Sequence, residues 1–323
     1  MNLLKRDPWR RLAHLPRLLN PEFRQTVESQ FLWTLEKTWD RFVEHRPVPD
    51  ITKTILLCGS MRGGTSVLAR CIASHPQVRH FGFELSAAWS HFGDVQCLAT
   101  FLPHTECPPL TAADATPDRV RRLRQGFARM FARRGGKQGD WFLAKNPHLA
   151  NKMFFVREVF PSAALVITSR DVRSTVASLK QIHASIYRSS GWRWYLPPER
   201  DACFRFQRPG DDPDRCFPGG RASVYAEYWL NVYESLDAAC TLFPRVSIVR
   251  HSAFCKDPQS TLARVFKETE LPPAPIHLPV AIKSDRHTRW GSILTEAEQV
   301  DLERFIEANR VRLRALQTAS WEV

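Results

Sequence analysis

A glycine-rich turn near the start of the sequence holds residues that could bind a phosphate group. Residues 59–66 run Gly-Ser-Met-Arg-Gly-Gly-Thr-Ser and follow a short apolar stretch, Thr54 to Cys58. Apolar residues recur at helical spacing from Thr65 onward, which predicts a helix there. A glycine-rich turn between a strand and a helix lets backbone N–H groups point at an anion. The stretch therefore predicts a phosphate loop; the alternative is a turn that only packs the helix on a sheet.

The spacing of this loop differs from that of nucleotide triphosphatases at one position. Gly59 and Gly64 occupy the two glycine positions, but Thr65 stands where those enzymes carry a lysine, and Ser66 follows it. In a triphosphatase that lysine reaches the β- and γ-phosphates. The cation here lies inside the loop, at Arg62. We therefore expect a phosphate group, without a triphosphate handled by magnesium.

Strands and helices alternate along the chain, which predicts an α/β fold with a central parallel sheet and helices on both faces. The predicted helices include Ala150–Phe160, Pro258–Thr269 and Thr295–Gln317, the last with Thr295 as its N-cap and Glu298 three residues later. Ligands of such sheets bind outside the carboxyl ends of the strands. Four predicted strands end at a cation: Arg62, Lys145, Arg170 and Arg250. A triphosphatase would place an aspartate at one of these ends to hold magnesium. The pattern favours an anionic nucleotide bound without a metal, and a phosphate-loop small-molecule kinase with a degenerate loop is the alternative.

Composition limits the classes of function. The chain has 323 residues and a formal net charge of +13, so an anionic partner is expected. The eight cysteines form no CxxC pair, which argues against a zinc or thioredoxin-like site. Cys203 and Cys216 bracket a polar loop and could pair in an oxidising compartment. Without a bilayer-spanning apolar run or a signal-peptide h-region, a soluble, cytoplasmic enzyme is expected.

The chain is predicted to consist of one large domain with an N-terminal extension. Residues 1–50 are basic and aromatic and form a predicted helical arm; residues 51–323 form the α/β domain. The arm is expected to dock on the domain, with a peripheral membrane contact through residues 1–40 as the alternative. Residues 185–220 are rich in Trp, Arg and Pro and are predicted to be a loop insertion that contacts substrate.

Three blocks of the sequence resemble the sulfotransferases that use 3′-phosphoadenosine 5′-phosphosulfate. Residues 62–66, Arg-Gly-Gly-Thr-Ser, resemble the loop of that family for the 5′-phosphosulfate. Residues 168–178 resemble its 3′-phosphate block, with an arginine at a strand end and a serine eight residues later. The third block is Arg250-His251 followed by Asp257-Pro258, where Ser252 and Ala253 replace the acidic residues common in the family. The blocks span roughly residues 54–270 in the order of the family.

The resemblance implies a set of ligands and site residues. The co-substrate would be 3′-phosphoadenosine 5′-phosphosulfate, no metal would be needed, and adenosine 3′,5′-bisphosphate would be the product. Arg170 and Ser178 would hold the 3′-phosphate, and Lys145 would stabilise the bridging oxygen or the sulfonate. The residues implied for the 5′ end are Arg62, Gly63, Gly64, Thr65 and Ser66.

An acceptor hydroxyl must lose a proton as it attacks sulfur, so the reaction needs a base. Glu84 follows His75-Pro76-Gln77-Val78 at the spacing of the glycan-modifying branch, where a glutamate is the base. His148 lies near the position of the histidine base in the small-molecule branch. We favour Glu84, and with it a carbohydrate or glycolipid acceptor. Tyr187, Trp192 and Trp194 of the insertion could stack on sugars or fold the insertion onto the domain.

The basic charge also raises a third hypothesis, a non-catalytic protein that binds nucleic acid. The sequence motifs of the known DNA- and RNA-binding modules are missing, so no nucleic-acid partner is expected. Steeply salt-dependent, nucleotide-independent affinity for DNA would be the mark of such a protein.

Overall fold

The computed structural model describes residues 38, 48–81, 84–97, 107–200, 202–279, 282, 289–318 and 321. The predicted arm, residues 1–50, lies almost entirely outside the described residues, so its fold and its docking stay predictions. Among the residues that are described, no helix is both long and apolar enough to cross a bilayer.

The core of the domain is a five-stranded sheet in which every pair of neighbours is parallel. Its strands, in chain order, are β1 (Lys53–Gly59), β2 (Val78–His80), β3 (Trp141–Lys145), β4 (Ala164–Ser169) and β8 (Arg245–Arg250). Their order across the sheet is β2-β3-β1-β4-β8. Every residue of β3 and β4 is buried, as expected for strands covered on both faces. The predicted parallel sheet is confirmed.

The described helices cover both faces of this sheet, as predicted. They are α1 (Thr65–Ile72), α2 (Ser86–Gly93), α3 (Pro117–Arg133), α4 (Met153–Val159), α5 (Val172–Ser190), α6 (Ala222–Cys240), α7 (His251–Lys256), α8 (Pro258–Thr269), α9 (Trp290–Ile293), α10 (Glu296–Ala308) and α11 (Arg310–Thr318). Helices α1 and α8 pack on one face, through residues such as Leu68 and Phe266. Helices α3, α4 and α6 pack on the other, through residues such as Phe127 and Trp229.

Short 3₁₀ helices and a second sheet complete the described fold. The 3₁₀ helices are Ala112–Asp114, Pro147–Lys152 and Pro213–Arg215. The second sheet is antiparallel, in the order β6-β5-β7, with β5 (Trp194–Tyr195), β6 (Arg205–Phe206) and β7 (Cys216–Phe217). It lies within the predicted insertion, so this segment has secondary structure of its own.

Several element boundaries differ from the sequence prediction. Helix α5 continues to Ser190, so the predicted insertion 185–220 begins with the last turn of a helix. A helix predicted from Ala150 is a 3₁₀ turn followed by α4, because Pro147 and the capping Asn146 start the turn earlier. The long helix predicted from Thr295 is interrupted at Asn309. Its predicted N-terminal cap is confirmed: Thr295 and Glu298 form a capping box.

Candidate active site at the carboxyl edge of the sheet

The phosphate loop connects the end of β1 to α1 in a tight turn. The Gly63 N–H donates to the carbonyl of Ser60 at 3.0 Å, and the Leu68 N–H donates to the carbonyl of Gly64 as the helix begins. Gly64 has φ +95°, and a Cβ there would lie 2.3 Å from Cδ2 of His251. Only glycine meets both conditions, because other residues pay for positive φ and carry the clashing atom. The turn after β1 and the end of β8 are thereby packed together.

Two tyrosines of α6 hold the loop from beneath. The Tyr228 hydroxyl accepts from the Met61 N–H at 3.1 Å. The Tyr233 hydroxyl accepts from the Ser60 N–H at 3.4 Å and donates to the carbonyl of Thr168 in β4 at 2.8 Å. Sequence reasoning missed both residues. Aromatic residues recur at helical spacing along α6, which is typical of a buried face, but nothing local indicates which loop that face supports.

On the β4 side of the loop lies an arginine cluster, formed by Arg62, Arg170 and Ser178. The Arg62 Nε donates to the Ser178 hydroxyl at 3.1 Å, and the Arg170 Nη1 donates to the carbonyl of Arg62 at 3.0 Å. Trp229 of α6 donates its indole N–H to the carbonyl of Arg170 at 2.8 Å. The structure thus brings together the cation predicted for the 5′ end and the two residues predicted for the 3′-phosphate.

On the β3 side of the loop lies a lysine cluster, formed by Lys145, Glu84, His148 and Ser66. The buried Lys145 Nζ donates to Glu84 Oε1 at 2.8 Å and to the Ser66 hydroxyl at 3.3 Å. The His148 Nε2 lies 3.4 Å from Glu84 Oε2. The two bases that the sequence offered as alternatives therefore contact each other, and both adjoin the predicted cation Lys145.

The lysine cluster keeps the carboxyl group of Glu84 ionised. Burial by itself raises the pKa of Glu84, but the charge of Lys145 and the hydrogen bond with His148 outweigh it. The pKa therefore lies well below its ordinary value of about 4.3. The Glu84 side chain is 36% exposed, whereas that of His148 is 8% exposed. Of the two, Glu84 presents the more open proton acceptor.

The residues beside this site contain no arrangement suited to a metal. Thr65, at the lysine position of triphosphatases, is buried. Asp171 follows the end of β4, but its carboxylate caps α5 by accepting from the Ser174 N–H at 2.7 Å. Within the described ranges, no three His, Cys, Asp or Glu side chains are placed to hold a metal ion.

Two further parts of the sequence prediction are located by the structure. Arg250 ends β8 beside Ser169, as predicted. Trp194 and Tyr195 are buried in the small sheet, where Trp194 stacks on Phe206 with ring centroids 4.6 Å apart. The hypothesis that Trp194 stacks on a sugar is therefore wrong, because its buried ring stacks on Phe206 of the insertion and on His183 of α5. Trp192 stays 41% exposed.

A small pocket opens next to the lysine cluster. Its wall includes His148 and Tyr228, which belong to the site, and the polar side chains of Asn151, Arg200, Asn231 and Ser235. Because Tyr228 also contacts the phosphate loop, the pocket adjoins both the loop and the candidate bases. The pocket is small and its surface is mainly apolar, and it lies beside an ionised carboxylate.

Comparison with known proteins gives one family and several distant structures. Residues 54–209 match the model of a family described as the sulfotransferase family. No curated protein matches the chain. Sulfotransferase STF1 from Mycobacterium tuberculosis H37Rv is 15% identical, with 84% of this chain and 80% of that chain covered and a TM-score of 0.47. A sulfotransferase from Alicyclobacillus acidocaldarius is 13% identical, with 84% and 96% covered and a TM-score of 0.47. The family match, and not these structures, supports the function proposed below.

Proposed function

We propose that this chain, whose residues 54–209 match the model of the sulfotransferase family, transfers a sulfonate group from 3′-phosphoadenosine 5′-phosphosulfate to a hydroxyl of a carbohydrate or glycolipid. The chain is an enzyme of the sulfotransferase class. The donor, the acceptor and the roles of individual residues are the proposed part.

One observation carries the proposal: two different clusters flank a single phosphate loop. Because β1 lies between β3 and β4 in the sheet, the lysine cluster and the arginine cluster stand on opposite sides of the loop. One cluster supplies cations to an anion, and the other supplies an ionised carboxylate. Transfer of an anionic group to a hydroxyl needs both functions next to each other.

The arginine cluster and the loop would bind the donor. Arg170 and Ser178 suit the 3′-phosphate, since charged hydrogen bonds to phosphate oxygens are among the strong ones. The loop from Arg62 to Ser66 suits the 5′-phosphosulfate, because its N–H groups precede α1. The contact between Arg62 and Ser178 ties the two parts of this site together.

The lysine cluster would carry out the transfer. The acceptor oxygen attacks sulfur, and the bond between sulfur and the 5′-phosphate oxygen breaks. The hydroxyl proton passes to Glu84, and adenosine 3′,5′-bisphosphate leaves. Lys145 stabilises negative charge at the reacting group, and His148 orients the Glu84 carboxylate through its other oxygen.

The pocket beside His148 marks where the acceptor hydroxyl would enter, because it adjoins both candidate bases. Its surface is mainly apolar, with amide, hydroxyl and guanidinium groups among its lining residues that can form hydrogen bonds with an acceptor. Asn151 and Asn231 lie on different elements, so an acceptor group at this pocket would be contacted from two directions. The exposed ring of Trp192 adds a surface on which a further sugar could stack.

A thermal-shift experiment tests the donor. Adenosine 3′,5′-bisphosphate should stabilise the protein without magnesium, because a ligand that binds only the folded state raises the melting temperature. ATP with magnesium should give little shift, and a larger shift with ATP would favour a kinase. Transfer of labelled sulfonate to a panel of glycans, glycolipids and small phenols then tests the acceptor class; transfer only to phenols would contradict it.

A further inference from the structure

A buried lysine lies beneath the turn that carries His148, and the proposed reaction does not use it. Lys152 is wholly buried, and its Nζ donates to Cys107 Sγ at 3.2 Å and to Asn151 Oδ1 at 2.8 Å. A buried ammonium is costly unless an anion compensates it. Among the described residues, no carboxylate lies within ion-pair distance of Lys152. The sulfur of Cys107 is therefore the group placed to balance its charge.

A second cysteine completes this lysine–cysteine cluster, which consists of Lys152, Cys107 and Cys203. The side chain of Cys203 lies close enough to that of Cys107 to change its pKa. The Asn151 amide nitrogen contacts both cysteines, the Cys107 carbonyl at 3.3 Å and the Cys203 sulfur at 3.7 Å. Cys203 is partly exposed and lines the pocket beside His148. A small solute in the pocket can thus reach Cys203, the partner of the buried Cys107. Cys107 and Cys203 are far apart in the sequence. The pair that the sequence offered, Cys203–Cys216, does not form, because the thiols of Cys203 and Cys216 are both free.

The electrostatics of the cluster give the two sulfurs different roles. The neighbouring Cys203 side chain and, after it, the charge of Lys152 lower the pKa of Cys107 to about 6 against the opposing effect of burial. The neighbouring Cys107 side chain, together with burial, raises the pKa of Cys203 well above its ordinary value. The contact between the Lys152 ammonium and the Cys107 sulfur thus favours a thiolate on Cys107 and leaves Cys203 as the protonated thiol.

We propose that Cys107 and Cys203 form a site of reversible oxidation by hydroperoxides, with Cys107 as the reactive sulfur and Cys203 as its resolving partner. The Cys107 thiolate attacks the peroxide oxygen, the O–O bond breaks, and a sulfenic acid forms with release of hydroxide or alkoxide. The Cys203 sulfur then attacks the sulfenic sulfur and expels hydroxide, which leaves as water with the thiol proton. Two thiols lose two electrons to the peroxide, and an external dithiol restores them.

Mass spectrometry of the full-length protein tests this site. The reduced protein is treated with hydrogen peroxide and digested without reductant; we expect a linked pair of peptides that contain Cys107 and Cys203, and its loss on treatment with dithiothreitol. In Cys203→Ser, a sulfenic acid on Cys107 should accumulate and be trapped by dimedone, several-fold above the wild-type protein. Sulfinic acid on Cys107 with Cys203 still reduced in the wild-type protein would overturn the proposal.

A measurement on the wild-type protein covers the case in which variants of the buried cluster do not fold. Iodoacetamide should alkylate Cys107 with a half-maximal rate near pH 6. Cys240 is the control: it is also a free thiol, it is more exposed than the buried Cys107, and burial raises its pKa to about 11. Equal pH profiles for the two cysteines would overturn the assignment of Cys107 as the reactive sulfur. Lys152→Met, if folded, should move the Cys107 profile to higher pH, whereas Lys152→Arg should retain it.

Discussion

The arginine cluster and the lysine cluster flank the same loop and use their cations differently. In the arginine cluster, Arg62 donates to the hydroxyl of Ser178, and Arg170 donates to the carbonyl of Arg62. In the lysine cluster, the ammonium of Lys145 contacts the carboxylate of Glu84. A contact with a neutral oxygen orients a cation, whereas an ion pair with a carboxylate lowers the pKa of that acid and keeps it deprotonated. In the proposed reaction, the first cluster holds the anionic donor, and the second keeps a deprotonated carboxylate available as the base.

The largest effect is expected in the lysine cluster. Glu84→Gln keeps the shape of the side chain but removes its basicity, so turnover should fall by about 10²–10⁴-fold. Affinity for adenosine 3′,5′-bisphosphate should change little, because a carboxylate does not hold an anion. Steady-state rates and calorimetric titration check the two statements.

Two controls accompany this variant. Glu303→Gln alters an exposed carboxylate paired with Arg173, away from the proposed base, and should keep full turnover. His148→Asn should cost less than Glu84→Gln. If instead the histidine variant abolishes turnover while the glutamine variant retains it, the roles of the two residues are reversed.

In the arginine cluster, Arg170→Ala should weaken binding of adenosine 3′,5′-bisphosphate by roughly 1.5–3 kcal/mol, the range for hydrogen bonds to charged groups. Binding of adenosine 5′-monophosphate, which lacks the 3′-phosphate, should hardly change. Arg173→Ala is the matched control. Arg173 lies in the first turn of α5, shortly after Arg170, and it pairs with Glu303. Equal losses for both nucleotides would contradict the assignment of Arg170 to the 3′-phosphate.

The pH dependence separates the clusters further. The pKa of Glu84 is lower in the folded than in the unfolded protein, so its ionised carboxylate stabilises the folded state at pH values above the unfolded pKa. This contribution to the free energy of unfolding is lost as the pH falls through the lower, folded pKa. The kcat/KM of the wild-type enzyme should show no acidic limb from Glu84 above about pH 4. Lys145→Met removes the charge that lowers the pKa of Glu84, while the burial that raises this pKa remains. The acidic limb of kcat/KM should therefore move up to roughly pH 5–7. An acidic limb well above about pH 4 in the wild-type enzyme would contradict Glu84 as the base.

A smaller loss of nucleotide affinity is expected when the hydroxyl of Ser178 in the arginine cluster is removed. Ser178→Ala removes a hydrogen bond to Arg62, and binding of adenosine 3′,5′-bisphosphate should weaken by about 0.5–1.5 kcal/mol. Ser189→Ala is the matched control on the same helix, because its hydroxyl only donates to the carbonyl of Ile186. Titration calorimetry distinguishes the two variants; an equal loss in both would indicate a general effect on α5.

No effect is expected from removal of divalent metal. Both clusters supply their positive charge from side chains, so chelation with EDTA should leave sulfonate transfer unchanged. Transfer assays with and without the chelator check this. Activity that disappears with EDTA and returns with magnesium would contradict the proposal that side chains supply the positive charge for the transfer.

Much of the fold could be predicted from local patterns, and the errors have local causes. The helix Pro258–Thr269 was predicted with its observed bounds, because Asp257 and Pro258 mark its start. The end of α5 was missed, since the polar residues of its last turns resemble a loop. The interruption at Asn309 was missed because the apolar spacing continues across it. The site residues named from the sequence lie at the edge of the sheet, and their roles stay predictions.

The sequence by itself determined the alternation of strands and helices, the phosphate loop after β1 and the cations at the strand ends, because these depend on residues close together in the chain. Tertiary structure decided which of them meet. Arg62 contacts Ser178, Glu84 joins Lys145 and His148, and Lys152 contacts Cys107, all across long stretches of chain. Those contacts follow from the order β2-β3-β1-β4-β8, and strand order depends on how the whole chain packs, which no local pattern specifies.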